Sequence, residues 1–233
     1  MISEQSVSSF FEALIAGDRA KARQLVADSR KSGHTPDDLI AGLFWPTYNM
    51  IDSLYRTHRL GCLNHHMAVR LLRVLVDQNA ALLNCAGTRN KSIFAVCGPN
   101  ESEELAAQMA LDVLEGAGYS VTFAGSRIAN DEVLARVNDE KPDVLLLFAS
   151  AAEDLPSIRA LIDTIREIGS CPNMQIAVGG GVFNRAEGLA EEIGADAWAT
   201  SPMELADVLI AEPSRRAISS QRTVGRTRKR RAA

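Results

Sequence analysis

Apolar residues recur along this chain in two different rhythms. From Val7 to about Leu83 they return every three or four residues, as in Phe10, Phe11, Leu14 and Ile15, which predicts helices. Gly17-Asp18 closes one helix and opens the next. The stretch KSGHTPDD stops the second helix at Gly33 and starts a third, with Thr35 as N-cap and Pro36 at the first helical position. Pro46 lies inside that third helix and predicts a kink or a division, because its nitrogen carries no hydrogen and its ring crowds the preceding turn. A last helix runs NHHMAVRLLRVLVDQNAALL, with Met67, Leu71, Leu72, Val74 and Leu75 on its apolar side. Four or five helices joined by short links predict an all-α bundle.

From Ser92 the rhythm changes. SIFAVCG, YSVTFAG, DVLLLFAS, MQIAVGG and ADAWATS are short apolar runs of strand type, separated by helical stretches. Such alternation predicts an α/β Rossmann-like, flavodoxin-like domain: a parallel sheet with helices on both faces. Ligands of these sheets bind at the carboxyl ends of the strands, here GPNES, AGSR, ASAAED and GGGVFN. The polar stretch NCAGTRNK marks the domain boundary. The expected partition is a helical bundle cap over 1–88, a Rossmann-like domain over 89–212 and a disordered basic tail over 213–233.

Charge changes this picture at the C-terminus. The net charge is −4; the stretch after Glu212 contributes eight positive charges and no negative one, leaving −12 on the remainder. A tail so poor in apolar residues has little to bury. Its alternatives are contact with nucleic acid or an acidic partner, or a solubilising segment. No apolar run is long enough to span a membrane, and no basic-then-apolar leader opens the chain. Cys62, Cys85, Cys97 and Cys171 are scattered, as expected of reduced thiols in a cytoplasmic protein.

The turn after the first strand carries Glu101, Glu103 and Glu104. Asn100 and Glu103 fit a capping box, and acids in a first helical turn suit the helix dipole. The same acids repel phosphate, and no G-x-G-x-x-G or Walker lysine follows the strand, which argues against dinucleotide and P-loop enzymes. Gly179, Gly180 and Gly181 end the fourth strand, where missing side chains suit a flat ligand, a close backbone or an ordinary tight turn. All four histidines, His34, His58, His65 and His66, fall in the helical half. Cys62 and His65 have zinc-like spacing but no complete ligand set. Ser150 shares a loop with Glu153 and Asp154 but has no histidine near it in sequence, so no hydrolytic triad is indicated.

The order of parts resembles the cobalamin-binding (corrinoid-binding) domain family, a helical cap followed by a Rossmann-like domain. The resemblance runs from about Phe10 to Leu209. IAVGGGVFNRAEGLAEEIGADAWATSPMELADVL looks like the family's glycine-pair strand, its IGAD strand and its closing helix. PTYNMIDSLYRTHRLGCLNHHMAVRLL is similar to the cap segment with an aromatic residue and then Glu-His ten residues later. Tyr55, His65 and His66 stand at those three positions, which in the family lie over the upper face of the corrin.

The family's lower-face pattern is D-x-H-x-x-G, then S-x-L about 41 residues on, then a glycine pair after somewhat under 30 more. Here Glu101-Ser-Glu103-Glu-Leu-Ala106 replaces the first motif, Phe148-Ala-Ser150 replaces the second, and Gly179-Gly180 match the third. Glu103 stands where the family's lower cobalt ligand is a histidine, and Phe148 where a small residue lines the slot for the nucleotide tail. The resemblance therefore implies a metal ligand from the cap, His66 first and His65 second.

It implies a cobalamin-binding regulatory or sensor protein that holds its corrinoid between cap and sheet domain, with haem as the alternative cofactor. A protein partner or a homodimer would receive the signal. The other readings are a module for protein interaction without cofactor, and the corrinoid subunit of a methyltransferase.

Overall fold

In a computed structural model, described over residues 2–83, 87–99 and 104–218, the chain divides into two compact units. One comprises Met1–Gly87 with Gln108–Ala117, the other Thr88–Ala107 with Gly118–Ala233.

The bundle opens with α1 (Glu4–Ile15), capped by the Ser3 side chain, and α2 (Arg19–Lys31), capped by Asp18. Gly17 between them has φ +69°, a left-handed turn that glycine takes without steric cost. α3 (Pro36–Leu39) starts with the expected Thr35 cap, here a full capping box in which Asp38 bonds back to the Thr35 N–H at 2.8 Å. α4 (Trp45–Arg56) and α5 (Cys62–Ala80) follow in the same unit.

The helix expected around Pro46 is divided, by a π-turn just before the proline. Between α3 and α4 the residues Ile40–Phe44 wind as a π-helix, and the Trp45 N–H reaches the carbonyl of Ile40, five residues back. The wider turn accommodates the proline, which then stands in the first turn of α4. The bundle core is aliphatic and aromatic: Phe10, Leu14, Leu39, Ile40, Phe44, Ile51 and Leu72 are nearly inaccessible to water. Each such side chain contributes about 1.5–3 kcal/mol by burial. The Phe10 and Phe44 rings meet at 5.8 Å. Asn79, fully buried, donates to the Pro36 carbonyl at 2.9 Å and accepts from Arg30 at 3.2 Å, so its polar groups are satisfied.

The second unit holds the five strands that the apolar runs predict: β1 (Ser92–Cys97), β2 (Ser120–Phe123), β3 (Val144–Phe148), β4 (Gln175–Gly179) and β5 (Ala197–Trp198). All pair in parallel in the order β2-β1-β3-β4-β5. This is the flavodoxin-like order, whose switch point lies between β1 and β3. The connecting helices are α6 (Leu105–Gly116), α7 (Asn130–Glu140), α8 (Leu155–Ile168), the short α9 (Gly181–Arg185) and α10 (Leu189–Glu192), and α11 (Pro202–Ala211). Central strands β3 and β4 are buried at every position, as their unbroken apolar runs require. Phe94, Val96, Leu145, Leu147, Ile176 and Val178 form one core layer with Val133, Val137, Ile158 and Ile162 of α7 and α8. The capping box expected at Asn100 and Glu103 lies outside the described residues.

The start of the basic tail is ordered, which corrects the expectation of disorder from Pro213 onward. Asp196, 1% exposed, is the reason. Its carboxylate accepts from the Ile176 N–H at 2.7 Å, from Arg166 at 2.5 Å and from the Ala217 N–H at 2.7 Å. Arg215 lies over the Trp198 ring at 4.6 Å, and Arg216 donates to the Asn173 carbonyl. A buried carboxylate needs several donors to offset its desolvation, and the C-terminal segment supplies one of them. Replacing Asp196 by Ala should therefore lower the stability of the sheet domain by about 3 kcal/mol in urea denaturation, the scale of breaking a buried ion pair. Tryptic cleavage at Arg215 and Arg216 should quicken in the same variant.

Candidate functional site

The α4–α5 corner is built by the end of one helix folding back on itself. Arg59 and Leu60 both donate to the Leu54 carbonyl, and His58 takes a left-handed φ of +56° to allow it. Helix α5 then begins at Cys62, two residues before the predicted start. This turn brings Tyr55, from the end of α4, onto His65 in the first turn of α5. Their rings stack at 3.9 Å with 18° between planes. His66 meets His65 edge-on at 5.8 Å and 82°, as the angular step of about 100° per helical residue predicts.

The three side chains differ in setting. Tyr55 and His66 are exposed, whereas His65 is half-buried. Burial of His65, and secondarily the charge of His66, hold its pKa below the ordinary imidazole range. Its Nδ1 is buried and has no hydrogen-bond partner among the described residues. One turn back, Arg56 grips Asp52 through both carboxylate oxygens at 2.9 and 2.8 Å. The corner thus presents one neutral imidazole braced by an aromatic face and one imidazole open to solvent. A neutral imidazole is a metal ligand, and among the described residues no three His, Cys, Asp or Glu side chains gather to hold a metal ion by themselves.

At the carboxyl edge of the sheet, strand register sets Cys97, Phe148 and Gly179 abreast. Neighbours in parallel register project to the same face, so the Phe148 ring has a glycine beside it. It uses the space: a Cβ on Gly179 would come within 2.8 Å of the Phe148 ring. Phe148 is 6% exposed and belongs to the packed interior. Gly180, with φ +106°, has its missing side chain directed at the Ala149 carbonyl, which leaves no room for any other residue. Ser150 follows, its carbonyl accepting from Arg185 at 2.5 Å. Phe148, Ser150, Gly179 and Gly180 are thus brought to one strand edge.

Of the three acids after β1, Glu101 and Glu103 lie outside the described residues. Glu104 bonds the Ser126 N–H at 2.7 Å beside Gly125, tying the first βα turn to the loop after β2. A residue that sequence reasoning left without a role is Asp154, fully buried in the turn between β3 and α8 and packed against Gly98 just after β1. The pair marks the switch point of the sheet. The signal was available in Gly98, a glycine directly after a strand, but its partner is not identifiable without the β1–β3 pairing.

A family model described as "B12 binding domain" matches residues 91–207, and a second of the same description matches residues 8–78. The chain belongs to the B12 binding domain family. Cobalamin is accordingly its cofactor. No curated protein sequence matches the chain significantly. Among solved structures, a monomethylamine corrinoid protein of Methanosarcina barkeri is 16% identical, with 90% of this chain and 99% of that chain covered and a TM-score of 0.78. The methanol:cobalamin methyltransferase complex MtaBC of the same organism is 15% identical, covering 94% of this chain and 84% of that one, with a TM-score of 0.50. At these identities the likeness is one of fold. No helix among the described residues is long and apolar enough to cross a membrane.

The two groups of residues fit a corrinoid differently in this B12 binding protein. The His65–His66 corner offers imidazole nitrogens, a donor type suited to cobalt. At the glycine-pair strand, the Phe148 ring packs beside Gly179. Adding a methyl group at Gly179 should cost about 2 kcal/mol by overpacking. In a Phe148→Leu background the same Gly179→Ala change should cost at least about 1 kcal/mol less, a coupling that a double-mutant cycle in urea would measure.

Proposed function

We propose that this B12 binding protein grips its corrinoid from the bundle, with His66 as the first axial-ligand candidate and His65 as the second, and that it serves as a regulatory or sensor module. The observation that carries this reading is the Phe148 ring over Gly179, in a domain whose sequence contains no histidine. A lower-face imidazole from the sheet domain has no source. Glu103, at the position of that ligand, is a carboxylate and a poorer partner for cobalt.

When bound, the corrinoid would supply a cobalt centre, and His66 or His65 would offer it an imidazole nitrogen. The chain's own residues divide the remaining work. Tyr55 stacks on His65 and fixes its ring plane. Burial keeps His65 neutral, and His65 in turn limits the rotation of His66 by edge contact. His66 is left exposed with nitrogens available to a ligand. Exposed Tyr55, and Leu63 at 71% exposure near it in sequence, supply apolar surface for the macrocycle or for a protein partner that reads the bound state. The partner is a second protein or a second copy of the chain.

A second reading, the methyl-carrying corrinoid subunit of a methyltransferase, is favoured by one observation. The Methanosarcina barkeri monomethylamine corrinoid protein shares the fold over nearly its whole length. The missing imidazole weighs against it.

Purification in the presence of hydroxocobalamin, adenosylcobalamin or haemin separates these readings by visible spectrum. Retained cobalamin colour, with affinity reduced at least about tenfold by His66→Ala and less by His65→Ala, is the expected result. Colour that survives loss of both histidines removes the bundle-side grip. Retention of haemin alone removes the corrinoid itself. Turnover of a methylated corrinoid with a methyl acceptor would move the assignment to the enzyme subunit.

A further inference from the structure

Helix α6 is shared between the two units: its first turn, Leu105–Ala107, groups with the sheet domain, and Gln108–Ala117 with the bundle. Along the bundle portion, Gln108, Asp112 and Glu115 follow one another at four and three residues and so share one face of the helix. That face meets the stripe of α5 that carries Arg73 and Asp77. The Gln108 amide nitrogen donates to Asp77, and its carbonyl accepts from Arg73 at 3.4 Å. The donor capacity of Gln108 toward α5 is thus directed at Asp77. Asp112, one turn further on, has an oxygen that is buried and has no hydrogen-bond partner among the described residues.

Such an arrangement is costly for an anion. An ionised carboxylate has only acceptor sites, and a buried one without donors bears its full desolvation penalty. Two more carboxylates, Asp77 from α5 and Glu115 from α6 itself, add like-charge repulsion. Near the end of α6, Gly116 approaches Asp37, the acid that α3 presents on this side. Arg73 is the cation that α5 presents to this seam, and it reaches Gln108. A protonated carboxyl removes both penalties and gains a donor.

We propose that Asp112 is a proton-controlled latch on the α5–α6 seam, holding α6 on α5 while protonated and loosening it when ionised. Burial first, then Glu115 and Asp77, raise its pKa from 3.8 to about 7, which places the change within the cellular pH range. The folded state binds this proton more tightly than the unfolded chain does. Stability contributed by the latch is therefore full below the ordinary carboxylate pKa, is lost as pH rises from there through about 7, and is constant above. The latch does not depend on the corrinoid reading, since its residues all belong to the bundle unit.

The test uses the full chain without cofactor. The Asp112 side-chain carboxyl carbon, followed by NMR, should titrate with a midpoint near 7, and Asp77→Asn should lower that midpoint by about one pH unit. Hydrogen-exchange protection of the amides from Asp112 to Gly116, corrected for intrinsic rates, should fall at least about tenfold between pH 5 and pH 7.5. In Asp112→Asn, which keeps the shape and supplies a donor, the same protection should change less than about twofold. A carboxyl that titrates near 4, or a protection loss that persists in Asp112→Asn, overturns the proposal. If the variant fails to fold, the titration of the unaltered chain decides alone.

Discussion

The parallel register of β1, β3 and β4 is the constraint on which the reading of this protein turns. It lines up Cys97, Phe148 and Gly179 at the carboxyl edge of the sheet, and the ring takes the space that a side chain on its neighbour would need. A register slip of one residue would send Phe148 to the opposite face and open that space again. Register is in turn secured by burial on both faces, because every position of β3 and β4 is apolar or packed. At this strand edge the Phe148 ring occupies the space beside Gly179.

The bundle answers with a different kind of order. Its corner depends on a backbone turn, in which two N–H groups converge on the Leu54 carbonyl and His58 enters the left-handed region. Such a turn fixes positions closely while leaving side chains near water. Tyr55, His65 and His66 consequently keep defined mutual geometry with graded exposure: one ring shielded, two accessible. Sites that bind a metal reversibly benefit from that combination, since a fully buried ligand could not exchange and a fully exposed one would not be oriented.

Much of the architecture was legible in the chain because it follows from period alone. Unbroken runs such as VLLLF and QIAVG could only be buried strands, and the 3–4 spacing before Leu83 could only be helices. What could not be read was anything set by pairing. Asp154 meets Gly98 only because β1 and β3 are neighbours, and Asp196 reaches Ala217 only after the chain has closed over β5. The tail shows the limit from the other side: composition pointed to disorder for all of it, yet one buried acid holds its first residues. At the candidate site, Tyr55, His65 and His66 stood out by residue type and spacing, whereas their stacking required the turn at His58. The carboxylates at Glu101 and Glu103 stood out equally and fall outside the described residues.

The π-helix at Ile40–Phe44 has an effect that reaches beyond the proline it accommodates. Widening one turn inserts roughly one extra residue into the helical path, a phase advance of about 100° for everything downstream. Helix α4 inherits that offset over its whole length, and Tyr48 and Ile51 face the core. Wound uniformly, the same sequence would turn Tyr48 and Ile51 about a quarter turn off the core. The bulge therefore works as an indexing step, setting at Ile40 which face of α4 is buried.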